Sequence, residues 1–138
     1  MKEKDLALVR LLWEENGFFL TISDSIPELT RMIKQNPKLC FVMETEEEDL
    51  IGAVLGGFDG RRGWVHHLAI KKEYQNQGLG KEMMNTLTSA FESLGVVKIK
   101  LEVLESNKNV IKFYKKLGWD LRSELTTMSL DLPITNKN

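Results

Sequence analysis

Little in this chain can be cross-linked, inserted into a bilayer or drawn onto a polyanion. Its one cysteine, Cys40, excludes an internal disulfide and fits a reducing compartment. No apolar run approaches the roughly 20 residues that span a bilayer. The opening Met1-Lys2-Glu3-Lys4-Asp5 has no apolar signal core. A cytoplasmic setting with no membrane partner is therefore expected. Charge of one sign is also missing: 19 Lys and Arg against 20 Asp and Glu leave a net charge of -1, which provides no basic field for a phosphate backbone and argues against nucleic acid as a partner. No internal repeat, low-complexity block or Pro/Gly/Ser linker divides the 138 residues, so a single domain over 1–138 is expected, long enough to bury a core.

Periodicity supplies the elements. Leu6, Val9, Leu12 and Trp13 recur at helical spacing, giving a first amphipathic helix over about Lys4 to Glu15. Gly17 to Asp24 reads as a loop carrying Phe18 and Phe19. Ser25-Ile26-Pro27-Glu28 has the form of a capping box with proline in the first turn, opening a helix that Asn36-Pro37 closes. Leu39–Met43 and Leu50–Leu55 read as a hairpin around the acidic, solvated turn Glu44 to Asp49. Asp59-Gly60 is a turn signal before a strand over Trp64–Ile70. Leu79, Met83, Met84, Leu87, Ala90, Phe91 and Leu94 stripe a long helix that Gly95 ends. Val97, Ile99, Leu101 and Val103 alternate as a strand, Val110, Ile111, Tyr114 and Leu117 mark a helix closed by Gly118, and Met128, Leu130 and Leu132 suggest a last strand. The order predicts a mixed α/β (α+β-like) fold with a central, mostly antiparallel mixed sheet flanked by helices.

The segment richest in chemistry is Gln75-Asn76-Gln77-Gly78-Leu79-Gly80-Lys81, between a strand and the long helix. Its glycines let the backbone approach a ligand, and unpaired N–H groups at the helix start attract anions through their donors and the helix dipole. The Gly-Lys-Ser/Thr ending of a P-loop and the third glycine of the dinucleotide fingerprint are both absent. Alone, a Gly-x-Gly at such a junction is equally a tight turn. A second segment runs from Leu101-Glu102-Val103-Leu104-Glu105-Ser106-Asn107 through Val110-Ile111-Lys112-Phe113-Tyr114-Lys115-Lys116-Leu117-Gly118-Trp119.

In these two segments the chain resembles the GNAT family of N-acetyltransferases. The family's coenzyme A signature, Gln/Arg-x-x-Gly-x-Gly/Ala, is met by Gln75, Gly78 and Gly80. Its later signature, an asparagine before an apolar helix ending in Tyr-x-x-x-Gly-Phe, is met by Asn107, Tyr114 and Gly118, with Trp119 in place of the phenylalanine. The resemblance covers about Leu39 to Leu132. Leu101–Asn107 is most similar to the ribosomal-protein alanine acetyltransferases, and the Gly56-Gly57-Phe58-Asp59-Gly60 turn to small bacterial members of undefined substrate. Members usually open with a strand that this chain lacks, so the sheet is expected to be one strand short unless a partner supplies it.

The resemblance implies acetyl-coenzyme A as cosubstrate, an amine as acceptor, no metal, and roles residue by residue. Backbone N–H groups from Asn76 through Gln77, Gly78, Leu79 and Gly80 to Lys81, behind Gln75, would hold the pyrophosphate. Leu68, Ala69 and Ile70 would bond the pantetheine and the acetyl carbonyl. Asn107 would touch the cofactor arm, Tyr114 would protonate the departing thiolate, and Glu102 matches the proton acceptor of the alanine acetyltransferases. Family members often dimerise, so a homodimer stays open.

General chemistry agrees with this division. An amine with a pKa near ~10 must lose a proton before attacking; a carboxylate or histidine can take it, and the thiolate leaves more readily when protonated. No covalent enzyme intermediate is needed. The residues also carry plainer readings. Tyr114 suits a core position and Asn107 a helix cap. Glu102 shares a strand face with Lys98 and Lys100, as a solvated face would. His66 and His67 compete with it as base, or are structural histidines. Phe18 and Phe19 either line the acceptor pocket or anchor the loop. Two other functional classes use the same motif: a non-catalytic module that binds acyl-coenzyme A, and a nucleotide-binding regulatory domain.

Overall fold

The computed structural model describes residues 1–134, which form two compact units, Met1–Glu102 and the remainder from Val103 onward. In the first unit a short 3-10 turn leads into α1 (Leu6–Glu15), and a second, Ile22–Asp24, precedes α2 (Ile26–Gln35). Then come β1 (Phe41–Glu44), β2 (Leu50–Phe58), β3 (Gly63–Ile70), α3 (Leu79–Ser93) and β4 (Ile99–Leu101). The sheet order is β1-β2-β3-β4, with the first two pairings antiparallel and β3–β4 parallel. The mixed, mostly antiparallel sheet is therefore as expected, and its first strand follows both helices.

The two faces are packed differently. Leu6, Val9, Leu12 and Trp13 of α1, with Leu29 and Ile33 of α2, meet Ala53 and Leu55 of β2 and Ala69 of β3 in one core. On the other face α3 lies directly on main chain. A β-carbon at Gly52 would stand 2.8 Å from Met83 Sδ, one at Gly56 2.7 Å from Leu87 Cδ1, and one at Gly63 2.5 Å from Phe91 Cε1. Met83, Leu87 and Phe91 are spaced one turn apart, so each successive turn of α3 rests on a glycine. This explains why β2 runs through Gly56, Gly57 and Phe58 where sequence suggested a turn. Glycine here makes room for a helix, and the turn itself is only Asp59 to Arg62, where Asp59 Oδ1 accepts the N–H groups of Arg61 and Arg62 at 2.8 Å.

Three further expectations are corrected. Ser25 caps α2 in an extended conformation but makes no side-chain cap bond; the capping box forms earlier, between Thr21 and Asp24. The strand expected over Val97–Val103 is only Ile99–Leu101, because parallel pairing with β3 lasts only from Gly63 to Val65, and Val97 is exposed. No last strand forms among the described residues: Met128, Leu130 and Leu132 are all exposed. Alternation marks which residues could share a face, whereas a strand also needs a neighbour to bond. The second unit holds α4 (Lys108–Lys116), closed by Gly118 at φ 96.

Because Gly63 is buried beneath Phe91, Gly63→Ala should destabilise by about 1–3 kcal/mol through overpacking, seen as a lower urea midpoint at unchanged slope. The Gly63→Ala/Phe91→Leu double variant should lose less than the sum of the two single variants. Additivity in that cycle would show that the ring does not rest on the glycine.

Candidate active site

The parallel pair parts early. Beyond Val65, the edge of β3 facing β4 has no strand partner among the described residues, from His66 to Ile70. On its other edge β3 is bulged against β2: Ala53 pairs with Ala69 and Leu55 with His66, leaving His67 and Leu68 opposite Val54. His67 takes φ 52, a left-handed backbone that non-glycine residues seldom adopt. Of the strand-end trio named from sequence, Leu68 is half-buried, and Ala69 and Ile70 are buried.

The chain then turns through Lys72–Tyr74 into the glycine-bearing loop. Asn76 at φ 62 and Gly78 at φ 81 reverse it, and Gly78 becomes the N-cap of α3 without any side-chain cap bond. The main-chain N–H groups of Asn76, Gln77, Gly78, Leu79, Gly80 and Lys81 have no hydrogen-bond partner among the described residues. Nothing lies within 4 Å of a β-carbon placed on Gly78. The side chain of Gln75 has a different job from the loop amides: its Nε2 donates to Ile70 O at 2.8 Å and to Asn16 Oδ1 at 3.0 Å, tying the loop to the end of β3 and the end of α1. The site thus has an open row of donors at a helix start, which suits a diphosphate.

Of the three candidate bases, His66 is within electrostatic reach of the other two. Desolvation and the adjacent His67 lower the pKa of His66, while Glu102 and Asp24 pull it the other way. Glu102 lies just past β4, where the register pairs Val65 with Leu101. His67 points to the α1 side, with its ring 4.8 Å from that of Trp13 and 4.9 Å from that of Phe18. Its Nε2 is 2.9 Å from Asp24 Oδ1. Phe18 thus anchors the loop on His67, whereas Phe19 is 89% exposed. Asp24 is the residue that sequence reasoning missed. Thr21-Ile22-Ser23-Asp24 does carry the Thr-x-x-Asp form of a capping box, yet nothing local announces a partner 43 positions on.

Cys40 offers no competing nucleophile. It is buried, its thiol lies 3.6 Å from Gly56 O, and burial pushes its pKa up. Among the described residues no group of three His, Cys, Asp or Glu side chains could hold a metal ion, and no helix is long and apolar enough to cross a membrane.

In the second unit, Asn107 caps α4 by accepting the Val110 N–H at 3.3 Å. Tyr114 is buried, with its ring 5.0 Å from that of Phe113 and 5.5 Å from that of Trp119. Burial pushes its phenol from 10.0 up to about 12. Both plainer readings, cap and core residue, therefore describe real features of these side chains.

The sheet is mixed and opens at its parallel pair, and a loop of unpartnered amides lies at the strand-to-helix turn beside it. The chain belongs to the acetyltransferase (GNAT) family, whose sequence profile matches residues 6–119, and it is an acetyltransferase of that family. It is 29% identical over 119 residues to an acetyltransferase of Pectobacterium atrosepticum, covering 86% of this chain and 84% of that one. The fold is shared with Ard1 from Thermoplasma volcanium, at a TM-score of 0.80 and 18% identity, over 89% of this chain and 81% of that one. It is shared also with a ribosomal-protein alanine N-acetyltransferase from Escherichia coli, at a TM-score of 0.70 and 23% identity, over 86% and 73% respectively. The family uses acetyl-coenzyme A.

The raised phenol makes a pH prediction. Below pH 10 Tyr114 is neutral folded and unfolded, and its contribution to stability is fully present. Between 10 and 12 the unfolded chain releases this proton and the folded one keeps it, so stability is lost as pH rises through the folded value. Urea unfolding at pH 9 and pH 11 should show the wild type losing roughly 1 kcal/mol more than Tyr114→Phe; equal losses would place the phenol in water.

Proposed function

We propose that this acetyltransferase moves the acetyl group of acetyl-coenzyme A directly onto an amine, either a small molecule or a protein N-terminus or lysine, within a ternary complex. The observation that carries this is the run of unpartnered N–H groups from Asn76 to Lys81, next to the unpaired edge of β3. Those amides hold the diphosphate, and the main chain of Leu68, Ala69 and Ile70 orients the pantetheine and the acetyl carbonyl. The family profile runs across the boundary between the two units, which supports reading 1–138 as one acetyltransferase domain.

Proton handling is divided among side chains. The acceptor amine arrives protonated and gives up its proton to the group formed by His66, His67 and Glu102. We assign that step to His67, whose ring the buried Asp24 carboxylate holds at 2.9 Å. The family resemblance gives Tyr114, kept protonated by burial, the role of proton donor to the departing sulfur, and gives Asn107 that of a contact to the cofactor arm. The setting is cytoplasmic, and no nucleic acid, membrane or metal takes part.

Calorimetry with acetyl-coenzyme A, ATP and NAD, followed by thiol release across a panel of amines, tests the reading. Saturable binding of the thioester alone, with thiol release in the presence of some amine, is the expected result; binding without release across the panel would leave only a carrier of acyl-coenzyme A. Gly78→Glu should weaken acetyl-coenzyme A binding more than tenfold beyond Gly78→Ala, which shares the strain of a β-carbon at φ 81 without the charge. Equal affinities would remove the diphosphate from this loop.

A further inference from the structure

Asp24 lies outside both motifs that carry the family resemblance, on a 3-10 turn between α1 and α2, and is 7% exposed. Its two carboxylate oxygens are divided between tasks. Oδ2 accepts the Thr21 N–H at 3.0 Å and is 3.4 Å from the Thr21 hydroxyl, which closes the cap. Oδ1 is left for His67 Nε2 at 2.9 Å. An ionised carboxylate only accepts hydrogen bonds, so the nitrogen that faces it must carry a proton. A neutral imidazole has one N–H, and the lone pair is then on Nδ1. The ring's other neighbours, Trp13 from α1 and Phe18 from the loop after it, do not titrate. His66 on the same strand interacts electrostatically with both members of the pair and with Glu102. The His67 side chain keeps 27% of its surface open.

We infer that Asp24 is a positioning residue: it fixes His67 as the Nε2–H tautomer and leaves Nδ1 as the atom that takes the proton from the acceptor amine. The inference rests on the assignment of His67 as base. When Nδ1 takes that proton the ring becomes imidazolium, and the N–H already on Nε2 stays with the carboxylate, whose negative charge stabilises the cation. The amine keeps the electron pair of its broken N–H bond and uses it to attack the acetyl carbonyl. Asp24 itself neither gains nor loses a proton, and no further reactant is needed.

Asp24→Asn separates positioning from structure. The amide oxygen can still accept the Thr21 N–H, while the NH2 now faces His67 Nε2 and demands an acceptor there, driving the ring proton to Nδ1. Long-range 1H–15N spectra of the neutral ring should show the proton on Nε2 in the wild-type protein and on Nδ1 in Asp24→Asn. The variant should lose about 100-fold or more in kcat at an unchanged dissociation constant for acetyl-coenzyme A. A wild-type ring protonated on Nδ1 would overturn the inference without any variant. An inverted tautomer with unchanged kcat, while His67→Gln is slow, would overturn it and leave His67 as base. Unchanged kcat in His67→Gln would instead overturn the assignment of the base, and the role of Asp24 with it.

Discussion

Everything around the site depends on β3 serving two neighbours that ask different things of it. Along β2 it must run antiparallel from Gly63 to Ile70, and along β4 it is paired in parallel through Gly63, Trp64 and Val65 only. Once β4 leaves, the strand carries a bulge on the β2 side and an open edge on the other. The bulge costs local strain at His67, and it makes that histidine and Leu68 share the space opposite Val54. The open edge exposes main-chain groups that a closed sheet would have used. Two departures from regular pairing thus meet on β3: an edge without a strand partner among the described residues, and a bulge at which the His67 ring lies toward α1.

The electrostatics follow from the same geometry. His67, Glu102 and Asp24 all act on the charge of His66. Desolvation opposes a charge on His66, while the carboxylates favour one. On balance His66 is held below the usual histidine pKa, because burial and then His67 disfavour its protonated form more than the carboxylates favour it. Cys40, by contrast, is buried away from solvent, and that desolvation raises its pKa.

The sequence was most legible where function constrains backbone. Gln75, Gly78 and Gly80 marked the loop because their spacing reports on main-chain geometry, and that geometry is local. Leu79 to Leu94 gave a helix because its stripe is repeated over several turns; α3 was found at Leu79–Ser93. Legibility failed where a residue's meaning depends on something distant. Gly56 and Gly57 look alike in a turn or under a helix, and only the approach of Leu87 and Met32 decides between them. Met128, Leu130 and Leu132 alternate correctly for a strand, but among the described residues they pair with no strand. Asp24 was hidden for a third reason: its local role as a cap is complete in itself, and its second oxygen is committed to a histidine that the chain reaches only after two strands.

The three glycines beneath α3 also act as a mechanical stop. Met83, Leu87 and Phe91 each lie so close to a glycine that a β-carbon there would be 2.5–2.8 Å from them, which leaves the helix little room to shift toward the sheet. Its first turn, and the fan of amide donors in front of it, is therefore registered against the sheet by positions as far away as Gly63. The seat of the loop's helix is thus set by what is missing underneath it, from Gly52 below Met83 near the loop to Gly63 below Phe91 at the far end.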